Sequence, residues 1–216
     1  MKHSFFLKRL LRLFSNFLLD MRYGGKFLGG GIPSRFQNEG AYATANSNIS
    51  VLPAIFKLVP IHECDTIVDV GCGKGRPINW WLSQYLKNDI YGIELDETIA
   101  DSIRKRLGKY SNVHIVSGDA VENIPKNATI FYLYNPFNAD VLKRFTDALL
   151  LPPDNYQNAV IIYYNPVHIN VFKDNPAWSV AFYDVTSYPE LMELSRQYKD
   201  VHSFAIIKRH VKRNEK

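Results

Sequence analysis

The run "VDVGCGKGR", Val68 to Arg76, decides how this chain folds. A hydrophobic strand ends in Asp69 and passes into Gly71-Cys72-Gly73-Lys74-Gly75, and a helix opens near Pro77. Glycines at a strand-to-helix turn let a ligand approach the backbone closely, beside the unpaired N–H groups of the helix start. Pro77 suits that place because its missing N–H would be unpaired in a first helical turn anyway. Outward from this turn, short apolar runs alternate with helical patterns. The runs are "TIVDV" (66–70), "DIYGIE" (89–94), "VHIVS" (113–117), "TIFYLY" (129–134) and "AVIIYY" (159–164). Between them lie "PINWWLSQYL", "ETIADSIRKRL" and "ADVLKRFTDALL", each apolar along one helical face. Strands alternating with helices imply βαβ units and a parallel sheet. The strands are apolar on both parities, as burial on both faces requires. After residue 176, "WSVAFYDV" and "HSFAIIKRH" read as a closing strand pair at one sheet edge. The expected fold is α/β and doubly wound.

The chain has 216 residues, 46% hydrophobic and 22% charged, enough for one domain with a sizeable core. Its two cysteines, Cys64 and Cys72, give neither a disulfide framework nor a metal-ligand pattern. They favour a reducing, cytoplasmic setting. The six histidines are scattered without zinc spacing, so no metal is expected. The net charge of +5 sits at the ends: residues 1–40 carry +5, residues 208–216 carry +4, and the middle is left at −4. A nucleic-acid enzyme usually carries its basic surface on the domain itself, so the charge ranks nucleic acid below other partners.

Residues 1–22 read as a basic amphipathic helix. Leu7, Leu10, Leu11, Phe14, Phe17, Leu18 and Met21 fall at helical spacing, interrupted by Lys8, Arg9 and Arg12. No apolar run is long enough for a signal-peptide core or a membrane span. The leading expectation is a helix that packs its apolar face on the domain. The alternative is a helix that touches an anionic membrane surface or a partner. Residues 23–50 are glycine-rich and polar and read as a long loop or lid. Residues 51–210 hold the α/β domain, and 211–216 form a basic tail.

The second strand ends in Glu94, 21 positions after Gly73. An acid at that offset is where such folds hold a nucleoside ribose. The glycine spacing, Gly-x-Gly-x-Gly, is not the Gly-x-Gly-x-x-Gly of dinucleotide binders, which disfavours a nicotinamide-dependent oxidoreductase. No Ser or Thr follows Lys74, so the phosphate-binding loop pattern is also absent. With Asp69 ahead of the loop, the chain resembles the class I S-adenosylmethionine-dependent methyltransferases over roughly residues 40–210. "GIELD" resembles the family's second motif and "SGDA" its third. The resemblance implies a mostly parallel seven-stranded sheet with a reversed last strand, here preceded by a helix. It implies S-adenosyl-L-methionine as cofactor, with Glu94 on the ribose hydroxyls, Asp119 on the adenine amino group and Ala120 lining the ring. Asp69, Gly71, Cys72, Gly73 and Leu95 complete the implied cofactor contacts. Tyr42 and Thr44, with Asn46, come from the segment that closes over the methionine end.

Tyr-Asn-Pro occurs twice, in "TIFYLYNPFNAD" and in "NAVIIYYNPVH". In the family the fourth strand ends beside the reactive methyl group. "YNPF" there resembles the Asn/Asp-Pro-Pro-Tyr/Phe motif of enzymes that methylate planar amino groups, with one proline in place of two. The resemblance assigns Asn135, Pro136 and Phe137 to catalysis, with the Asn135 side chain orienting the nitrogen and Phe137 stacking on a flat substrate. Asn135 also reaches the cofactor. The second copy reads as a turn, with His168 a substrate-side base candidate. Trp80 and Trp81 read as core packing, and Cys72 as a small residue the loop needs. Lys74 and Arg76 face either the cofactor carboxylate or solvent. The acceptor is a protein group, a small molecule or a glycan before a nucleic acid. A fold that binds the cofactor without turnover is the competing reading.

Overall fold

The structure is a computed structural model that describes residues 2–84, 87–151 and 156–210. The expected basic tail, 211–216, lies outside these residues. Seven strands form one sheet: β1 (Ile67–Val70), β2 (Ile90–Glu94), β3 (Val113–Ser117), β4 (Ile130–Tyr134), β5 (Val160–Tyr164), β6 (Trp178–Tyr183) and β7 (Phe204–Arg209). Their order is β3-β2-β1-β4-β5-β7-β6, and only β7 runs against its neighbours. The sheet is the expected doubly wound one. Its order reverses between β1 and β4, and the crevice beyond the strand ends there is where open α/β sheets take ligands.

The two-parity apolar runs are explained by two separate cores. Ile67, Ile90, Ile130, Tyr132, Ile162 and Phe204 face one layer, where α2 (Leu52–Phe56), α3 (Arg76–Ser83), α4 (Glu97–Leu107) and α7 (Pro189–Gln197) pack. Val68, Val70, Phe131, Leu133, Ile161 and Tyr163 face the other, under α5 (Ala139–Leu149) and the short α6 (Asn170–Lys173). Alternate side chains of a strand point to opposite faces, so every strand but β3 feeds both cores, and β3 adds Val113 and Ile115 to the first. Trp80 and Trp81 are core residues, packed on Phe56 and, for Trp81, on Tyr132.

The first helix, α1 (Lys2–Gly24), overturns the leading expectation for its apolar face. It packs on α3, α4 and α7, but through its polar side. Asp20 is fully buried and pairs with Arg76 at 2.7 Å, and Arg12 pairs with Asp200 at 2.8 Å. Leu19 and Tyr23 pack on the core beside them. Leu7, Leu10, Leu11, Phe14, Phe17, Leu18 and Met21 all point outward. The physical reason is that the domain offers a buried arginine, and a carboxylate satisfies it where a leucine cannot.

Candidate active site

After β1 the chain turns sharply through Gly71 and Gly73, both in the left-handed region that favours glycine. Close approach also excludes a side chain: a Cβ on Gly71 would run into Pro136, and one on Gly73 into Thr44. The loop is tied to β2 by Cys72 N–H, which donates to the Ile93 carbonyl at 2.9 Å. Gly73 N–H donates to Glu94 Oε2 at 2.8 Å, and Asp96 N–H donates to Glu94 Oε1 at 3.0 Å. A carboxylate has about four lone-pair sites, so Glu94 keeps acceptor capacity for hydroxyl groups. Burial pushes its carboxyl up from the ordinary range.

Asp69 is only 3% exposed, and its Oδ2 has no hydrogen-bond partner among the described residues. Burial, and then the nearby Glu94, hold its carboxyl well above the usual range. An orphaned buried carboxylate oxygen is a site that calls for a cation or donor from outside the chain. Asp119 follows β3. Its Oδ1 accepts from Val121 N–H at 2.9 Å, and its Oδ2 from Arg144 at 3.0 Å.

These groups surround one cavity of about 350 Å³, a size suited to a small ligand. Asp69, Gly71, Cys72, Glu94, Leu95, Asp119 and Ala120 line it, as do Tyr42, Thr44, Asn46, Asn135, Pro136 and Phe137. Gly73 lies just beneath the lining, under Thr44. Its roof is the glycine-rich segment. Arg35 clamps it to Asp96 with contacts of 2.6 and 2.9 Å, Tyr42 N–H donates to the Pro136 carbonyl at 3.0 Å, and Asn138 N–H to the Gly40 carbonyl at 2.8 Å. The Arg35 hydrogen bond holds the Asp96 carboxyl below its ordinary range. Lys74 donates to the carbonyls of Gly29 and Gly30, and Arg76 pairs with Asp20. Lys74 thus braces the loop preceding the roof, and only Arg76 reaches the cavity lining.

Asn135 follows β4 with φ 42°, and its Oδ1 accepts from the Tyr163 hydroxyl at 2.9 Å. Burial pushes the Tyr163 phenol up to about 12, so it stays protonated and able to donate. Phe137 sits where a stacking ring was expected, yet it is 7% exposed and packs on Phe145. It lines the cavity from within the core on that side of the sheet. The open aromatic at the roof is Tyr42, 40% exposed, whose hydroxyl lies 2.8 Å from His168 Nε2. Sequence reasoning missed Arg35, Asp96, Arg144 and Tyr163. Only Asp96 left a signal, as an acid capping the start of α4.

Residues 67–144 match the family model described as a methyltransferase domain. A stretch of 76 residues, 35% of the chain, is 28% identical to the ribosomal RNA small subunit methyltransferase A of Syntrophus aciditrophicus (strain SB). That match spans 26% of the relative's own length. Among solved structures, an RNA methyltransferase from Salinibacter ruber in complex with S-adenosyl-L-homocysteine aligns over 80% of this chain and 99% of its own, with TM-score 0.54 and 16% identity. Mitomycin 7-O-methyltransferase aligns over 76% of this chain and 55% of its own, with TM-score 0.51 and 13% identity. At those identities the two structures speak for the fold.

Proposed function

We propose that this chain, which carries a class I S-adenosylmethionine-dependent methyltransferase domain, moves the methyl group onto an amino nitrogen held beside Asn135. One observation carries the reading. A single cavity holds both the orphaned carboxylate of Asp69 and the side chain of Asn135 at the mouth of β4. The cofactor supplies a methyl group already activated on a sulfonium, so the chain has to hold and orient. Asp69 Oδ2 accepts from the ammonium of the methionine moiety. Glu94 accepts from the ribose hydroxyls and Asp119 from the adenine amino group. Asn135 Oδ1 has a second lone pair beside the one taken by Tyr163, and it accepts from the substrate N–H. That contact would hold the nitrogen with its lone pair toward the part of the cavity that takes the cofactor's methyl group. Relatives named for RNA and for mitomycin keep nucleic-acid and small-molecule acceptors together in the test.

Calorimetric titration should show binding of S-adenosylmethionine and none of NAD, with Glu94→Ala weakening the first. Equal affinity in the two proteins would defeat the assignment of the ribose. Labelled cofactor incubated with size-separated lysate fractions should mark one class of acceptor on nitrogen. Label on oxygen or carbon would overturn the amino reading.

A further inference from the structure

We propose that α1 docks the protein on an anionic lipid bilayer through its outward apolar face. This does not rest on the identity of the methyl acceptor. Leu7, Leu10, Phe14, Phe17, Leu18 and Met21 form one stripe along the helix and are 43–58% exposed. Scattered exposed leucines need no explanation, but a contiguous stripe marks a contact surface. The helix cannot roll over to hide it. Its opposite side is fixed by Asp20, which accepts from Arg76, from Asn79 and from Leu28 N–H, with no exposure to solvent. Rolling would strand that carboxylate and its arginine unpaired in the interior.

Charge selects the occupant. Lys2, Lys8, Arg9, Arg22 and Lys26 lie along or just after the helix, besides Arg12, which is taken up by Asp200. Asp20 is the only acid before Glu39, and it is buried. The segment that carries the outward apolar stripe is therefore cationic by sequence, with Arg22 and Lys26 exposed at its end. An apolar stripe on a cationic segment is the pairing that binds anionic headgroups while burying side chains at the acyl boundary. Basic side chains flanking such a stripe reach up to the headgroups along their own methylene stems. A second copy of the same helix would bring like charges face to face, which disfavours self-pairing. None of the described helices is long and apolar enough to cross a membrane, and at about 34 Å α1 is sized to lie flat on one.

The test is flotation of the full chain with vesicles of phosphatidylcholine alone, or of phosphatidylcholine with phosphatidylglycerol. Binding should require phosphatidylglycerol and be released by high salt, since screening weakens surface attraction. The double variant Leu10→Glu/Phe14→Glu should lose at least about tenfold of the partitioning. It should keep the wild-type melting temperature and cofactor affinity, because both side chains are more than half exposed. Binding indifferent to lipid charge, or unchanged in the variant, overturns the proposal. So does a wild-type dimer in solution that the variant converts to monomer, which would make a second copy the occupant. A variant that melts earlier would show the stripe to be part of the core and would overturn it too.

Discussion

The two Tyr-Asn-Pro turns share a tripeptide, a place after a buried parallel strand and a left-handed asparagine, with φ 42° at Asn135 and 53° at Asn165. They differ in what lies against them. The first has Gly71 beneath Pro136, the roof residue Tyr42 bonded to the Pro136 carbonyl, and the cavity in front of Asn135. The second is bonded through Asn165 N–H to the Ser203 carbonyl at 2.9 Å, at the entry to β7. Asparagine tolerates the left-handed region better than most residues, so both turns select it for the backbone alone. Any chemical role is then imposed by the neighbours in space. The second turn still contributes at one remove: Tyr163, just ahead of it, holds the Asn135 amide, and His168, just after it, meets Tyr42.

The largest test of this contrast is activity. Asn135→Ala should cut methyl transfer about a hundredfold or more while leaving cofactor affinity nearly intact, the scale of losing one group that orients the reacting atoms. Asn165→Ala should change the rate only mildly. A dead Asn165 variant beside an active Asn135 variant would reverse the roles of the turns.

Next in size is Asp69, whose orphaned oxygen lies on the first turn's side of the sheet and has no counterpart at the second. Asp69→Asn should weaken cofactor binding by about tenfold or more, the worth of one charge-assisted hydrogen bond. It should also change the pH dependence of stability in the cofactor-free protein. A buried carboxyl with a raised value favours the fold while protonated, and that contribution is lost as pH rises from about 4 through the folded value. Removing it should flatten the fall of melting temperature with pH. An unchanged slope would mean that Glu94 carries the effect.

Smaller is Tyr163→Phe, which frees the Asn135 amide to rotate. A loss of about three- to tenfold in kcat with unchanged cofactor affinity is expected, the worth of one net hydrogen bond. No loss would mean that Asn135 orients itself. Smallest is the backbone term. Replacing either asparagine by alanine should destabilise the fold by about 1 kcal/mol, because alanine is strained at positive φ. Glycine at the same positions should recover that loss in thermal melts. Asn135→Gly should recover stability without activity, which separates the turn from the chemistry.

Much of this was readable from the residues. The apolar runs are short, buried on both faces and bounded by glycine or proline, so the parallel strands and their burial followed from periodicity and from the turn at Gly71, while the reversed last strand came with the family resemblance. Asp69, Glu94 and Asp119 sit at strand ends, where position and chemical type coincide. The orientation of α1 was not readable, because an amphipathic pattern defines a face but not what the face meets. The deciding partner, Arg76, lies 56 positions from Asp20. The Arg35 clamp on Asp96 spans 61 positions and left no periodic trace.

The strap above the cavity also sets a clock. Segment 33–47 is fastened at Asp96, Pro136, Asn138 and His168, so release of a spent cofactor past it should require these ties to let go. Where release passes the strap, residence time should follow the strap and not the transfer step. The Arg35 tie is the ionic one, and its arginine is 65% exposed, within reach of dissolved salt. Ionic strength should shorten the stay of the product, and turnover should rise where release is the slow event.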